Sequence, residues 1–152
     1  MALRTRLSVA LPLLLALASC GENTASPDDL KLKTVTLPGG QKIKAEVRVT
    51  DIEIARGMMF RESLAPDRGM LFVHQKPAHY SYWMYQVTIP LDIIWLDTSR
   101  TIVEIHENTP PCSTKASECP SYGGRQQAQY VLELAGGMTA KYGLKTGQRL
   151  LF

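Results

Sequence analysis

The sequence predicts a mainly β, α+β domain: a small, strongly bent sheet or barrel of about seven or eight short strands with one or two short helices. Three observations predict it. Short runs of alternating apolar and polar residues recur from Lys33 to the C-terminus, separated by Gly, Pro, Asn and Asp. One capping box, Thr50-Asp51-Ile52-Glu53, announces a helix. No heptad and no internal repeat competes with them. An open α+β sandwich is the alternative arrangement of the same elements.

The elements follow in order. Lys33–Leu37 alternates, Pro38-Gly39-Gly40 turns, and Lys42–Val49 alternates again, with Ile43, Ala45, Val47 and Val49 on one face. This is a β-hairpin pattern. The capping box then opens a helix whose apolar stripe is Ile52, Ala55 and Met59, with Gly57 weakening its end. Arg61–Arg68 is a loop around Pro66-Asp67, and Gly69–Val73 is a short apolar strand. His79–Val87 is an aromatic-rich strand that Pro90 breaks. Leu91–Leu96 is a nearly continuous apolar strand, Asp97–Arg100 a turn, and Thr101–His106 pairs back with Val103 and Ile105 inward and Glu104 and His106 outward. Asn108–Arg125 is a loop rich in Pro, Ser and Gly, of a length uncommon unless it is stapled or functional. Gln129–Leu134 is a strand ended by Gly136-Gly137. Thr139–Tyr142 is a helical turn closed by Gly143, and Arg149–Phe152 is a final strand.

The N-terminus carries an address. Arg4 and Arg6 precede an apolar run from Val9 to Leu17, and Leu17-Ala18-Ser19-Cys20 has the form of a bacterial lipobox. The run is too short for a transmembrane helix, which needs about 20 residues. The chain therefore divides into a lipoprotein signal peptide (1–19), a flexible tether (20–32) rich in small and polar residues, and one domain (33–152). The expectation is an exported protein held on a bacterial membrane by lipid at Cys20, facing the periplasm in a Gram-negative cell. Removing residues 1–19 takes away two arginines and no acid, which leaves 15 basic against 14 acidic residues. That balance argues against nucleic acid as a partner. Cys112 and Cys119 remain as a pair with six residues between them, which in an oxidising compartment forms a disulfide. A structural metal there would have only His106 as a nearby third ligand, without Cys-x2-Cys spacing.

No nucleophile elbow, P-loop, dinucleotide fingerprint or His-Glu-x-x-His motif occurs, and no cofactor is expected. The informative stretches are Arg56-Gly57-Met58-Met59-Phe60-Arg61, Gly69-Met70-Leu71-Phe72, Tyr82-Trp83-Met84, Thr88-Ile89-Pro90-Leu91-Asp92-Ile93 and Tyr130-Val131-Leu132-Glu133-Leu134. Together they resemble the DUF192 family, a domain of unknown function, over roughly Thr34 to Phe152. The resemblance implies a fold and leaves the function open. Family members usually follow Trp-Met with Lys-Asn. Tyr85-Gln86 stand there in this chain, which implies a different ligand.

Within those stretches Arg61, Trp83, Asp92 and Glu133 are large or charged residues set among apolar ones. Buried carboxyl groups are costly unless paired. One reading pairs Arg61 or Arg68 with Asp92 or Glu133 as structural ion pairs, or leaves the acids facing water. The other brings Arg61, Trp83, Asp92 and Glu133 together as a ligand-binding site, with Tyr82, Trp83 and Tyr85 stacking on a small polar or saccharide ligand. Three functions follow. A lipid-anchored accessory or binding domain is favoured, since no activated nucleophile is readable. A small envelope hydrolase or transferase would use Asp92 and Glu133 as acid and base, and a raised Glu133 pKa beside an open cleft would favour it. A copper protein would draw on Met58, Met59, Met70, Met84 and Met138 with His74, His79 and His106, although no Met-x-Met or His-x-Met cluster occurs.

Overall fold

The computed structural model describes residues 31–152. Eight strands and two short α-helices follow one another: β1 (Leu32–Thr36), β2 (Lys42–Arg48), α1 (Asp51–Arg56), β3 (Arg68–Ala78), β4 (Ser81–Trp83), β5 (Leu91–Leu96), β6 (Ile102–Thr109), β7 (Ser121–Gly123), β8 (Ala128–Ala135) and α2 (Met138–Tyr142). Six strands form one mixed sheet in the order β1-β2-β3-β8-β5-β6. All its neighbours are antiparallel except β2 and β3, which run parallel. Parallel neighbours need a crossover, and α1 lies in the segment that joins them. β4 and β7 form a separate two-stranded sheet.

The architecture is thus the strongly mixed β sheet with two short helices, and the sheet does not close into a barrel. The expected last strand, Arg149–Phe152, makes only isolated bridges. Leu150 N–H donates to the Arg100 carbonyl (3.0 Å), while Leu151 exchanges two bonds with Thr36 (2.8 and 3.1 Å). Successive residues point their backbone groups at opposite sheet edges, so neither side gains a ladder.

Each face of the sheet carries its own core. On the first face Val35, Ile43, Leu71, Ile94, Leu132 and Leu134 pack together, with Met138 and Tyr142 of α2 against them. On the second, Met70, Phe72, Ile93, Trp95 and Val131 pack under Met58 and Met84. Burial on both faces explains why β5 reads as an unbroken apolar run.

Several local expectations need correction. The capping box is present: Thr50 Oγ1 accepts from Glu53 N–H (3.3 Å), and the Glu53 carboxyl accepts from Thr50 N–H (3.1 Å). Yet α1 has no buried residue, Ile52 is exposed, and Ile54 and Met58 reach the second core instead. The helix stops at Gly57 (φ 43°), so Ile52 and Met59 never share a helical face. The aromatic strand is cut to Ser81–Trp83. Beyond it the chain turns, with Val87 N–H and Cys112 N–H both donating to the Met84 carbonyl (3.0 and 3.2 Å). In β6 the register slips between Trp95 and Leu96, which sets Glu104 and His106 opposite Trp95 and Ile93 on the second face. Glu104 is therefore buried, with Arg125 Nε at 2.7 Å. The long loop contains a 3₁₀ turn (Ala116–Glu118), β7 and the Cys112–Cys119 disulfide, with Cα atoms 5.9 Å apart. Gly123 in β7 is required where it stands: its φ is +70°, and a Cβ there would lie 2.1 Å from the Trp95 ring.

Among the described residues no helix is long and apolar enough to cross a membrane. The lipobox, Cys20 and most of the tether fall outside the described residues.

Candidate functional site

Two layers roof the second face of the sheet. On one side lies the segment from α1 through Arg61. On the other lies β4 with its continuation to Val87, braced by β7. Phe60 N–H donates to the Gln86 carbonyl (2.9 Å) and Thr88 Oγ1 donates to the Arg61 carbonyl, so the two layers are tied at one end. Between them is a narrow cleft of about 20 Å³, enough for one water-sized group. Ile54, Arg56 and Met59 line it from the α1 side, Trp83 and Tyr85 from the β4 side, and Glu133 lies at its floor.

Glu133 is the distinctive group. It sits opposite Met70 of β3 and Ile93 of β5, in the middle of the sheet. It is buried, and its Oε2 has no hydrogen-bond partner. Burial pushes its pKa up to about 8, so at neutral pH the carboxyl is mostly protonated. The aromatic wall beside it is interlocked by ring contacts. Tyr82 packs edge-on against Phe72 (5.1 Å) and Trp95 (6.0 Å), and its hydroxyl pairs with His74 Nε2 at 3.0 Å. Burial, then the charges of Glu133 and Tyr80, push the Tyr82 hydroxyl far up, so it stays un-ionised. Burial holds His74 down, with Asp51 opposing weakly, and its ring stacks on Tyr80 at 3.5 Å. At the cleft rim Trp83 and Tyr85 lie 5.3 Å apart with their rings tilted.

Arg61 belongs to a neighbouring ion cluster. Its two guanidinium nitrogens grip both oxygens of Glu46 (2.7 and 2.5 Å), and Arg48 adds a third contact at 2.6 Å. Burial would raise the Glu46 pKa, but Arg61, with Arg48 and Arg68, holds it below the ordinary carboxyl range. Glu46 pairs with Met70 across β2 and β3, and Met70 pairs with Glu133 across β3 and β8. The two acids therefore lie in one row on one face, about 10 Å apart along the sheet at the usual strand spacing.

Asp92 lies on the other face. It sits opposite Leu134, a residue of the first core. Its Oδ1 accepts from the backbone of Asn108 (2.7 Å) and Gly137 (3.0 Å). Its Oδ2 accepts from Thr139 N–H (2.6 Å) and Thr139 Oγ1 (2.7 Å). Gly137, the N-cap of α2, offers no side chain, so Asp92 supplies that helix's cap from across the fold.

Of the four residues singled out in the sequence, the structure thus brings Trp83 and Glu133 to one cleft and sets Arg61 on the same face through Glu46. It places Asp92 on the opposite face. The pairing of Arg61 with Asp92 or Glu133 is corrected to Arg61 with Glu46. Glu46, Arg48 and Arg56 were missed. Glu46 alternates with Lys44 and Arg48, a pattern that reads as water-facing; only the pairing of β2 with β3 turns it inward.

Four of the five methionines in the described region sit in packing positions, Met58, Met70 and Met84 within the second core and Met138 against the first, while Met59 lines the cleft. Among the described residues no group of three or more His, Cys, Asp or Glu residues is arranged to hold a metal ion.

A mixed six-stranded sheet roofed on one face by a short helix and the two-stranded β4–β7 sheet, with a buried acid beneath, defines the class of this domain. The sequence profile of the DUF192 family, described as "Uncharacterized ACR", matches residues 34–152, and the chain belongs to that family. It is similar to a solved protein of unknown function from Novosphingobium aromaticivorans DSM 12444, at 30% identity over 80% of this chain and 85% of that one, with a TM-score of 0.72. It is also similar to a protein from Sinorhizobium meliloti 1021 described as a putative transcription regulator, at 31% identity over 78% and 89% of the two chains, with a TM-score of 0.69. No curated protein matches the chain.

Proposed function

We propose that this protein is a lipid-anchored domain of the bacterial cell envelope that binds a small polar or saccharide ligand against the Trp83–Tyr85 rim, with a single ligand group reaching into the cleft above Glu133. One observation carries the reading: a buried carboxyl oxygen without a partner at the floor of an aromatic-rimmed cleft. Buried polar atoms are almost always hydrogen-bonded, so an orphan at a cleft points to a missing partner. A ligand hydroxyl or amide reaching into the cleft would satisfy Oε2, while Trp83 and Tyr85 pack on the body of the ligand at the rim. Four of the stretches that carry the family resemblance, Arg56–Arg61, Gly69–Phe72, Tyr82–Met84 and Tyr130–Leu134, meet at this cleft. The nearly balanced charge of the chain after its signal favours a small molecule and a membrane over nucleic acid.

A second reading keeps Glu133 as the general acid of an envelope hydrolase or transferase. Its raised pKa beside a cleft favours that chemistry. Asp92 does not serve it as a base, because it lies across the sheet with four donors already on its oxygens.

The test is co-purification from cell-envelope extract followed by mass spectrometry of bound material. The expected result is a small molecule recovered with the parent chain and lost with Glu133→Gln, while the thermal midpoint near pH 4.5 changes little. Recovery unchanged by that substitution would remove the ligand from this cleft. Turnover of the bound species by the parent chain alone would favour the second reading. For the anchor, Cys20→Ser is expected to accumulate as unprocessed precursor without label from fatty acid. Label on the serine variant would refute lipidation at Cys20.

A further inference from the structure

Five large apolar side chains stand out in water among the described residues, and four of them surround α1. Ile52 is 83% exposed, Phe60 63%, Val49 50% and Trp83 41%. A helix with no buried residue and an apolar side chain aimed at water is incomplete on its own. Phe60 adds a conformational signal. It holds φ 65°, a region that a bulky residue enters only at a cost, and it does so while presenting its ring to solvent.

The same face is ringed with positive charge. A cavity of about 480 Å³ next to α1 is lined by Lys31, Arg48, Arg56 and Arg61 together with Phe60 and Met59. A second of about 320 Å³ adjoins it, with Lys31, Lys33 and Val49 in its walls. The acids in reach are Glu46, Glu53 and Asp51. Glu46 is engaged by Arg48 and Arg61 and Glu53 by Lys31, which, with the backbone N–H groups of Thr50 and Val49, holds it at about 2. Arg56 makes no salt bridge among the described residues and lines both this cavity and the Glu133 cleft.

We infer that the α1 face, with Phe60, Ile52 and Val49 at its centre and Lys31, Lys33, Arg48 and Arg56 around them, is a docking surface for an anionic lipid bilayer. Exposed aromatic and aliphatic side chains enter the headgroup boundary, and basic residues beside them attract lipid phosphate. The position of the tether selects a bilayer over a protein partner. Lys31 lines both cavities on this face, and only 11 positions separate it from Cys20. A chain of that length spans at most about 37 Å, so an anchor at Cys20 holds the edge of this face within that distance of the membrane. The inference rests on the proposed anchor for orientation only. Docked this way, the Glu133 cleft opens beside the lipid headgroups.

The test supplies the anchor chemically. The family profile spans residues 34–152, so the chain from Cys20 onward contains the whole matched domain. With Cys112 and Cys119 joined, Cys20 is the one free thiol of the three cysteines, and it couples to a maleimide-headed lipid in vesicles. Failure of lipidation in cells therefore leaves this experiment intact, and the reverse also holds. A Phe60→Trp variant reports insertion through quenching by brominated acyl chains, measured against the chain without that change. The expected result is quenching in phosphatidylglycerol-containing vesicles at low salt, and little in phosphatidylcholine alone or at high salt. Arg56→Glu should lower the docked population by about tenfold. Ile52→Ser should lower it too, without a charge change. Both side chains are free of the core, so unchanged thermal midpoints are expected to accompany the loss.

Absence of extra quenching in anionic vesicles would overturn the inference, because tethering already raises the effective concentration to about the millimolar range. Equal quenching with and without phosphatidylglycerol would overturn it as well. So would self-association of the untethered chain that buries Phe60, which would assign the face to a second copy.

Discussion

Asp92→Ala is expected to lower the stability of the domain by on the order of 4 kcal/mol. Four donors converge on one buried carboxyl. Three are backbone N–H groups from the end of β6 and the start of α2; the fourth, the Thr139 hydroxyl, also reaches Glu107 Oε1 at 3.1 Å. Truncation removes the acceptor of the three backbone donors, each at a cost of about 1–3 kcal/mol before relaxation. Asp92→Asn should recover part of the loss, since one acceptor oxygen is kept while the amide nitrogen faces donors. Denaturant titration at pH 7 measures both. A loss below about 1 kcal/mol for the alanine variant would show that the two loops do not depend on this cap.

The second large effect is a pH slope that Glu133→Gln should abolish. Folding raises the Glu133 pKa from 4.5 to about 8, through burial alone. Below pH 4.5 the group is protonated in both states and adds no pH dependence. Between 4.5 and 8 the unfolded chain has lost this proton and the folded one keeps it, so stability falls as pH rises. Above 8 both states are ionised and the full penalty stands. At about 1.36 kcal/mol for each unit of separation, the fall across the window is on the order of 5 kcal/mol. The neutral glutamine should therefore match the parent near pH 4.5 and exceed it increasingly toward pH 9. His74 works in the opposite sense. Burial lowers its pKa, so its contribution improves as pH climbs toward 6.5. The difference between parent and variant isolates Glu133 from that background. Parallel stability curves for the two chains from pH 5 to 9 would mean that Glu133 is ionised in the fold.

How much of this was legible beforehand depended on range. The capping box at Thr50–Glu53, the first hairpin, β5 and the turn at Asp97–Arg100 are local, and local chemistry wrote them into the sequence. The Cys112–Cys119 pair followed from the cysteine count and the expected compartment. Facing was not legible where burial is two-sided. All six residues of β5 are buried, so no alternation tells which face Asp92 takes, and β8 hides Glu133 in the same way. Partner choice was not legible either. Arg61 and Glu46 meet because β2 and β3 are parallel neighbours, a long-range fact that no window of sequence contains. The slip at Trp95–Leu96 likewise turned Glu104 from an outward residue into a buried one.

The place of β8 has a consequence for how the fold comes into being. It is the last strand along the chain, yet it lies in the middle of the sheet, between β3 and β5. Until residues 128–135 are in place, the chain holds two unconnected half-sheets, β1-β2-β3 and β5-β6, each with a bare edge where β8 belongs. Neither half buries both its faces, and Glu133 arrives with the strand that joins them. Assembly therefore waits for the C-terminus and closes contacts distant in sequence, which is a slow route. A nascent chain threading a narrow pore from its N-terminus would stay pliant almost to its end, and truncation before β8 would leave no partial domain able to stand alone.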